Sequence, residues 1–426
     1  MTYMINRNGT AFSAADGRES RSMEEHVTKE RALELLFGAW TPERHTETVH
    51  IDDACGRVLA KDYYALHGIP VVRASGMDGV AVDSARFRDG VPDMSGWRSG
   101  EDYVRADTGD DFDDKFDAVI RIEDVTILPE GGLKLHEGVT VTPGMSVRGP
   151  GSTFKEGTKL TNRGLPLRGI DLAALAMGGI TEVEVYRRPR IGFIPTGNEL
   201  IPAGAPLKRG QNYDTNSIIA KHMLNDLGAE PICYPIVRDD RNLLKPALDK
   251  ALEECDAVVI DGGSSKGEED YNTRLLESEG KLLLHWVLAG PGRPVGIAVC
   301  SGKPVINLAG PPVGMLFGMH WCIRALVCSF LGLPVPEGEK VRATLTADMR
   351  CAPRFDFLNL VEVLRDGDKY YVEPRDRGKT PLPVILKSNA LFVSPAGEGF
   401  YAAGTEIEVE LMRDRSLLPR YEGKRE

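Results

Sequence analysis

The sequence predicts a multidomain α/β plus β fold, in which a central doubly wound α/β domain lies between a β-rich inserted domain and a small C-terminal β-barrel. In the centre of the chain, short apolar runs alternate with helical segments of roughly 10–15 residues, which is typical of a parallel sheet. Short apolar runs interrupted by Gly and Asp precede this region, and further strand-like runs follow it. The 426 residues are enough for several domains of about 100–200 residues each.

The N-terminal part of the chain predicts a leader, a helix and a β-rich insertion. We expect residues 1–22 to form a disordered leader, because they mix charges with Gly and Ser and lack the apolar core of a signal peptide. Apolar residues at helical spacing predict a helix at Glu24–Trp40. We assign this helix to an N-terminal linker and helical domain at 23–64 and 149–189, with the β-rich pattern at 65–148 inserted into it.

The central segment, 190–335, predicts the α/β domain. Its segments are, in order, the strand RIGFIP, the helix TNSIIAKHMLNDLGAE, the strand PICYPIVRD, the helix RNLLKPALDKALEEC, the strand DAVVIDGG, the helix YNTRLLESEG, the strands LLLHWVLAG and PVGIAV, and a closing helix at 315–331. Because strands and helices alternate, we expect a parallel, doubly wound sheet. The closing run is long enough to span a membrane, but His320 and Arg324 in its middle favour a buried core helix.

The C-terminal segment, 336–426, returns to short alternating strands. RATLTAD, FLNLVEVLR, KYYVEP, ALFVSP and TEIEVEL are the strand-like runs. This spacing predicts a small β-barrel, with a sandwich as the alternative.

Composition excludes several classes of protein. Lys and Arg number 52 and Asp and Glu number 63, so the formal net charge is −11, which disfavours a protein that mainly binds nucleic acid or an anionic membrane. The seven cysteines are scattered and form no C-x-x-C pair, which indicates free thiols in a reducing compartment instead of disulfides or a zinc site. We therefore expect a cytoplasmic protein.

Three Gly-containing loops follow predicted strands of the α/β domain. They are Ile194–Leu200, Asp261–Asn272 and Asn307–Gly314. In an open parallel sheet, ligands bind beyond the carboxyl ends of the strands, and Gly lets backbone N–H groups approach an anion. The loops therefore predict a phosphate-bearing ligand. None contains the P-loop pattern or G-x-G-x-x-G, which argues against a P-loop NTPase or an NAD enzyme.

An ordered series of motifs runs from about Glu24 to Leu411. It comprises DACGRVLAKD (Asp53–Asp62), SGMDGVAV (Ser75–Val82), DTG followed by DAVIRIEDV (Asp107–Val125), RRPRIGFIPTGNEL (Arg187–Leu200), GQNYDTNS (Gly210–Ser217), VRDD (Val237–Asp240), DGGSSKGEEDY (Asp261–Tyr271), PGRP (Pro291–Pro294) and NLAGPPVG (Asn307–Gly314). This series resembles the molybdopterin molybdenumtransferases, a family that includes the MoeA proteins and the gephyrin E domain. The chain is identified as a divergent member.

The resemblance implies a function, a cofactor and partners. The implied reaction belongs to molybdenum cofactor biosynthesis: adenylylated molybdopterin is hydrolysed, AMP is released and molybdate is inserted, with Mg²⁺ as the helper cation. The α/β domain would bind the pterin and nucleotide parts of the ligand. The implied assembly is an elongated homodimer whose site is completed by the partner's β-rich domain. A molybdopterin adenylyltransferase and a molybdoenzyme are the expected protein partners.

The resemblance also implies site residues. The expected catalytic residues are Asp78, Glu199 and Asp270. The expected metal ligands are Glu199, Asp214, Asp239 and Asp270, whose hard oxygen atoms suit Mg²⁺. The expected ligand-binding residues are Thr108, Thr196, Gly197, Gly262, Gly263, Ser264, Ser265, Arg293 and Gly310. Because Asp214 and Asp239 precede predicted helices, N-capping is an equal alternative for both, and Asp270 could also cap a helix.

Several positions depart from the family pattern. They are Asn198 in TGNEL, Gly290 in GPGRP, Gly151–Thr153, Pro311 in NLAGPPV, Asn359, and the TPLPV turn at Thr380–Val384. The family has cations at the positions of Gly290 and Asn359, so we expect weak oxyanion binding that Gly290→Lys and Asn359→Arg would tighten.

Three functional hypotheses follow. The first is an active molybdenumtransferase with an altered pocket. The second is a non-catalytic paralogue that binds molybdopterin or molybdenum cofactor as a carrier, regulator or scaffold. The third keeps the fold for another pterin or nucleotide, and the sequence does not decide between molybdate and tungstate.

We predict a homodimer in solution. The family builds its site from two chains, and the segment 65–148 has too sparse an apolar pattern for an independent core. Light scattering at micromolar concentration should give twice the chain mass of 46.6 kDa. A mass equal to that of one chain would contradict the prediction.

Overall fold

The computed structural model describes residues 26–263, 271–374 and 386–423. The chain divides into two compact units: Arg44–Arg187, which we call the inserted unit, and Met1–Glu43 with Arg188–Glu426, which we call the main unit. Helix α1 (Lys29–Ala39) belongs to the main unit. This division is coarser than the domain boundaries expected from the sequence, and those finer boundaries stay a prediction. The leader at 1–22 lies outside the described residues.

The inserted unit is built mainly from short antiparallel strands. Its elements are β1 (Thr46–His50), β2 (Tyr63–Tyr64), β3 (Ala74–Ser75), β4 (Gly79–Val82), β5 (Tyr103–Ala106), β6 (Ala118–Arg121), β7 (Val125–Ile127), β8 (Leu133–Leu135), β9 (Val147–Arg148), β10 (Lys159–Thr161), α2 (Gly169–Met177) and β11 (Glu182–Tyr186). Strand β4 lies between β5 and β6, and every residue of β4 is buried. This explains why its apolar run does not alternate with polar residues.

Apolar clusters lie on both faces of strand β4. Val80 and Val82 pack with Trp97 and Ile120, whereas Ala81 packs into a second cluster around Phe116. The expectation that this region lacks a core of its own is therefore wrong, because successive side chains of one short strand serve two clusters. The homodimer prediction consequently depends on the family resemblance alone.

The main unit contains a six-stranded sheet with helices around it. Its elements after α1 are β12 (Arg190–Pro195), β13 (Leu200–Ile201), β14 (Asn212–Tyr213), α3 (Asn216–Asp226), β15 (Glu230–Cys233), α4 (Arg241–Glu254), β16 (Ala257–Asp261), α5 (Tyr271–Glu279), β17 (Gly280–His285), β18 (Ala289–Gly290), β19 (Gly296–Cys300), β20 (Lys303–Leu308), α6 (Pro312–Gly318) and α7 (Arg324–Leu331). Within the described ranges the sheet order is β15-β12-β16-β20-β19-β17.

The sheet is only partly parallel. Strands β15, β12, β16 and β20 pair in parallel, as expected, and helices connect β12 to β15 and β15 to β16. Strands β17 and β19 are antiparallel to their neighbours. The expectation of a wholly parallel sheet is wrong at this edge, because Ser301 and Gly302 join β19 to β20 in a tight hairpin that leaves no room for a crossover helix.

The long apolar helix near the end of the α/β region is a core element. Helix α6, a π-helical turn at Met319–Ile323 and α7 form one helix, Pro312–Leu331. By length and composition it could cross a membrane, but 67% of its most apolar 18-residue window is buried inside the protein. This burial agrees with the core-helix interpretation of the sequence.

The C-terminal part of the main unit is a closed barrel, as predicted. Its barrel strands are β21 (Lys340–Leu345), β23 (Asp356–Asp366), β24 (Lys369–Glu373), β25 (Ala390–Ser394) and β27 (Glu406–Leu411), while β22 (Met349–Arg350) and β26 (Phe400–Tyr401) pair in a separate two-stranded sheet. Strands β23, β24, β21, β27 and β25 follow one another around the barrel, and pairing of β23 with β25 closes it. The TPLPV turn lies outside the described residues.

Asn359 stabilises the barrel at its closing pair of strands. Its side chain is buried, and its Nδ2 donates to the Phe392 carbonyl oxygen at 3.2 Å and to Ser394 Oγ at 3.3 Å. The expectation that Asn359→Arg would restore an anion site conflicts with this position, because Arg would bury a charge and remove both hydrogen bonds.

We predict that Asn359→Arg lowers the free energy of unfolding by about 3 kcal/mol or more, since it leaves a buried cation without a partner. Urea denaturation followed by fluorescence would measure the change. Phe400→Arg is the matched control, because Phe400 is 54% exposed in the two-stranded β22–β26 sheet of the same C-terminal part. Equal midpoints for Asn359→Arg and the wild-type protein would contradict the prediction.

Candidate functional site

Three strands of the main sheet end at the same level. Pro195 of β12 pairs with Asp261 of β16, and Asp261 pairs with Leu308 of β20. Backbone hydrogen bonds link neighbouring segments at the first residue after β12 and after β16. The Thr196 N–H donates to the Asp261 carbonyl oxygen at 2.8 Å, and the Gly262 N–H donates to the Leu308 carbonyl oxygen at 2.9 Å. The three Gly-containing loops predicted from the sequence therefore leave the sheet side by side.

Glycine at 262 and 263 is required by close packing between these loops. Gly262 has φ +104°, and a Cβ there would lie 2.6 Å from the Thr196 carbonyl oxygen. A Cβ at Gly263, with φ +57°, would lie 2.5 Å from Asn272 Nδ2. A Cβ at Gly310 would make an ordinary van der Waals contact with the Gly262 Cα, at 3.4 Å. The glycines allow three backbone segments to meet at one edge.

A buried carboxyl group that the sequence reasoning did not single out lies at the centre of this edge. Asp261 is 2% exposed, and its Oδ2 accepts a hydrogen bond from Asn216 Nδ2 at 2.8 Å. Asn216 also donates to the Gly310 carbonyl at 2.7 Å, so one amide links the end of β16, the start of α3 and the loop before α6. A strand-end Asp directly before Gly-Gly is the sequence signal that could have identified it.

Burial changes the ionisation of Asp261. It raises the pKa of the carboxyl group to about 8, and the nearby charge of Asp214 adds to the increase, whereas the hydrogen bond from Asn216 opposes it. Within the described part of the chain, neither Asp261 Oδ1 nor Asn216 Oδ1 has a hydrogen-bond partner. The edge of the sheet therefore carries a carboxyl group that is largely neutral at pH 7.

The described members of the predicted carboxylates, Glu199, Asp214 and Asp239, lie on loops near this edge, and two of them have local structural contacts. Asp214 Oδ1 accepts from the Ser217 N–H at 3.0 Å in the first turn of α3, which favours the capping alternative. Asp239 Oδ2 accepts from the Asn198 N–H at 3.2 Å, and the neighbouring Asp240 caps α4 instead. Glu199 is exposed. Among the residues with described positions, no three His, Cys, Asp or Glu side chains form a set that could hold a metal.

A cavity of about 610 Å³ opens beside β12 and β15. Its lining includes Gly197, Asp214, Ser217, Tyr234 and Arg238 together with apolar residues of the same loops. Two of the predicted site residues, Gly197 and Asp214, thus contribute to one cavity. Its size and mixed lining suit a small organic ligand with polar groups.

Arg293 lies in the predicted PGRP turn and is partly buried. Its guanidinium carbon is 4.7 Å from the ring centroid of Phe355 and 5.4 Å from that of Trp286. The turn packs against the start of α6, since a Cβ at Gly292 would lie 2.7 Å from the Gly314 Cα. The sequence predicted the cation but not the two aromatic rings beside it.

Gly290, near Arg293, has no room for a side chain. A Cβ at this position would lie 2.6 Å from a ring carbon of Phe355. The expectation that Gly290→Lys would simply restore a cation is therefore wrong, because the lysine stem requires the Phe355 ring to move.

In the inserted unit, the structure brings Asp78 and Thr108 together. Asp78 Oδ1 accepts a hydrogen bond from the Thr108 backbone N–H at 2.6 Å, and both residues are exposed. Hydrogen bonds from Thr108 lower the pKa of Asp78, so its carboxylate is ionised at neutral pH. The remaining predicted residues, Ser264, Ser265 and Asp270, lie outside the described residues.

We predict that the Asp261 carboxyl group makes stability depend on pH. The native state holds this proton up to about pH 8, whereas the unfolded chain loses it near 3.8, so the wild-type protein loses stability as pH rises through this window. Asp261→Asn keeps the acceptor for Asn216 and cannot ionise. Its stability relative to wild type should rise by up to about 1.4 kcal/mol per pH unit.

Chemical denaturation between pH 5 and about 8 would measure this difference, with Asp249→Asn on the surface of α4 as the matched control. A constant difference between Asp261→Asn and wild type across the window would show that the native carboxyl group is ionised throughout.

Comparisons with known proteins agree with this architecture. Residues 21–179 match the family model of the MoeA N-terminal region (domain I and II), and residues 192–327 match that of a probable molybdopterin binding domain. The molybdopterin molybdenumtransferase of Haemophilus influenzae is 28% identical over 86% of this chain and 93% of its own length. That of Nostoc sp. is 29% identical over 86% of this chain and 89% of its own length.

A solved structure extends the similarity to the fold. The molybdopterin biosynthesis MoeA protein from Pyrococcus horikosii is 27% identical, with a TM-score of 0.74 over 91% of this chain and 99% of that one. Two family models match consecutive parts of the chain, relatives match it along most of their length, and a solved MoeA structure shares its fold. The chain therefore belongs to the family of the MoeA proteins.

Proposed function

We propose that the protein inserts molybdate into adenylylated molybdopterin and releases AMP, as a step of molybdenum cofactor biosynthesis. The observation that carries this proposal is the convergence of the loops after β12, β16 and β20 at one edge of the main sheet. The relatives from Haemophilus influenzae and Nostoc sp. are named molybdopterin molybdenumtransferase, and this chain matches them along most of their length. Ligands of open α/β sheets bind at this edge, so the pterin and nucleotide parts of the substrate are assigned to it.

The expected ligand-binding residues have clear roles in this proposal. The backbone at Thr196, Gly197, Gly262, Gly263 and Gly310 surrounds the ligand's phosphates, with Ser264 and Ser265 as further donors. A neutral Asp261 suits such a ligand, because an ionised carboxylate beneath the phosphates would repel them. Arg293 supplies the cation of this edge: its Nε is buried without a hydrogen bond among the described residues, and its planar N–H donors match phosphate oxygens.

Magnesium fits the proposal without a preformed cage of carboxylates. Mg²⁺ in phosphate-binding proteins is commonly held by one or two carboxylates together with substrate phosphates and water. We assign this role to Glu199 and Asp214, with Asp239 and Asp270 as further carboxylates of the same loops. When bound, the cation would neutralise charge on the phosphates and favour hydrolysis.

The residues of the inserted unit complete the assignment. Asp78, held by the Thr108 N–H, is a hydrogen-bond acceptor and not a proton donor at neutral pH. We therefore assign Asp78 to orienting a donor such as the attacking water. The homodimer, in which the partner's copy of this unit serves the site, belongs to the same proposal and is tested by the mass measurement described above.

The direct test is release of AMP from adenylylated molybdopterin in the presence of Mg²⁺ and molybdate. The proposal expects AMP release that depends on protein, Mg²⁺ and molybdate together. Binding of the substrate without AMP release would reject the enzyme and leave the carrier, regulator or scaffold alternative.

We predict that Glu199→Gln lowers turnover by about tenfold or more and changes substrate affinity by less than about threefold. An interaction with the helper cation acts mainly in the transition state, so its loss lowers kcat more than it weakens binding. Glu253→Gln on the exposed surface of α4 is the matched control. Normal turnover of Glu199→Gln with an unchanged Mg²⁺ requirement would remove Glu199 from the site.

A further inference from the structure

Trp286 has an unusual backbone conformation next to the predicted anion site. Its φ is +108°, in the region that glycine adopts easily and a large aromatic residue rarely does. The next residue in the chain, Val287, donates its N–H to the Arg293 carbonyl oxygen at 3.0 Å, so the strained Trp286 belongs to the same turn as Arg293. Strained residues persist where the surroundings hold them in place, and they cluster at functional sites.

Two aromatic rings contact the guanidinium of Arg293. It lies over the ring of Trp286 and over that of Phe355, at 5.4 Å and 4.7 Å from the ring centroids. Phe355 can reach this position because Gly290 leaves space for its ring. Contacts to two rings attract the cation electrostatically and restrict the orientation of its plane.

One nitrogen of the same guanidinium lacks a polar partner among the described residues. Its Nε is buried without a hydrogen bond, and no ion pair joins Arg293 to a carboxylate in the described ranges. A partly buried cation without an acceptor is costly unless something else supplies one. An oxyanion can do so, because its oxygens accept two parallel N–H donors from one guanidinium plane.

We propose that Trp286 and Phe355 are positioning residues that hold Arg293 in one orientation for a tetrahedral oxyanion. This inference deepens the proposed function, on which it rests, because the oxyanion would be either molybdate or a phosphate of the nucleotide part. In this proposal the oxyanion is bound by the paired N–H donors of one oriented guanidinium. A lysine at position 293 has no such planar pair of donors and does not replace the arginine. The aromatic side chain at 286 supplies this contact despite its backbone strain.

A purely structural role for Trp286 makes different predictions. If the ring only fills space, its removal lowers stability and leaves anion binding unchanged in the fraction that folds. If the ring positions Arg293, Trp286→Gly relieves the positive-φ strain but weakens anion binding. Trp286→Phe keeps an aromatic face and should retain most of the affinity.

The experiment is calorimetric titration of the full-length protein with molybdate and, separately, with AMP, accompanied by melting temperatures. The variants are Trp286→Gly, Trp286→Phe, Phe355→Leu and Arg293→Lys. Trp40→Gly is the matched control, because Trp40 contacts Phe330 edge-to-face elsewhere in the main unit. We expect Trp286→Gly, Phe355→Leu and Arg293→Lys to lower the affinity for one of the two anions by roughly 10- to 100-fold. The affinities of Trp286→Phe and Trp40→Gly should be close to that of the wild-type protein.

The two titrations identify the anion, since a selective loss for molybdate or for AMP assigns the subsite to that ligand. Wild-type affinity of Trp286→Gly and Phe355→Leu for both anions would overturn the proposal, as would a wild-type protein that binds neither. If Trp286→Gly does not fold, Phe355→Leu and Arg293→Lys decide the question. Anion binding that depends on these residues without any AMP release would reject the proposed reaction but support the subsite.

Discussion

In-register parallel pairing of β12, β16 and β20 is the constraint on which the candidate site depends. Pro195, Asp261 and Leu308 lie opposite one another, so the three strands end at the same level of the sheet. The three loops that follow must therefore share the space at this edge. Backbone N–H groups at strand ends need partners, and here the loops satisfy one another: Thr196 donates to Asp261, and Gly262 to Leu308. Such mutual contacts leave little room, which explains the glycine at 262.

The Asp261–Asn216 pair adds a second level of organisation. A buried carboxyl group is expensive when ionised, and its pKa accordingly rises to about 8. Asn216 stabilises the group and at the same time holds the Gly310 loop against the end of β16. One amide of α3 thus fixes the spacing between the end of β16 and the Gly310 loop, and it does so without placing a negative charge at the proposed phosphate site.

The C-terminal barrel joins the α/β part of the main unit through a cluster of polar and charged side chains. Glu410 of β27 lies 3.2 Å from His320 Nε2 and 3.2 Å from Arg324 Nη1, both on the long core helix. Hydrogen bonding to His320, with a smaller contribution from Arg324, lowers the pKa of Glu410. The barrel also places Phe355 beside Arg293, so the contact between the two parts of this unit shapes the cation subsite.

The sequence by itself determined the class of fold, the order of its parts and the loops that meet at the candidate site. Apolar periodicity identified the strands and helices of the α/β region, and the position of Gly after three strands predicted their convergence, because these signals are local. It did not reveal the hairpin edge of the sheet, the buried Asp261, or the rings of Trp286 and Phe355 beside Arg293. Those features depend on contacts between residues far apart in the chain: burial sets the ionisation of Asp261, and folding of the barrel brings Phe355 to the PGRP turn. Only the tertiary structure decided that Gly290 makes room for an aromatic ring and that Asn359 closes the barrel, since both roles come from neighbours that a local pattern does not contain.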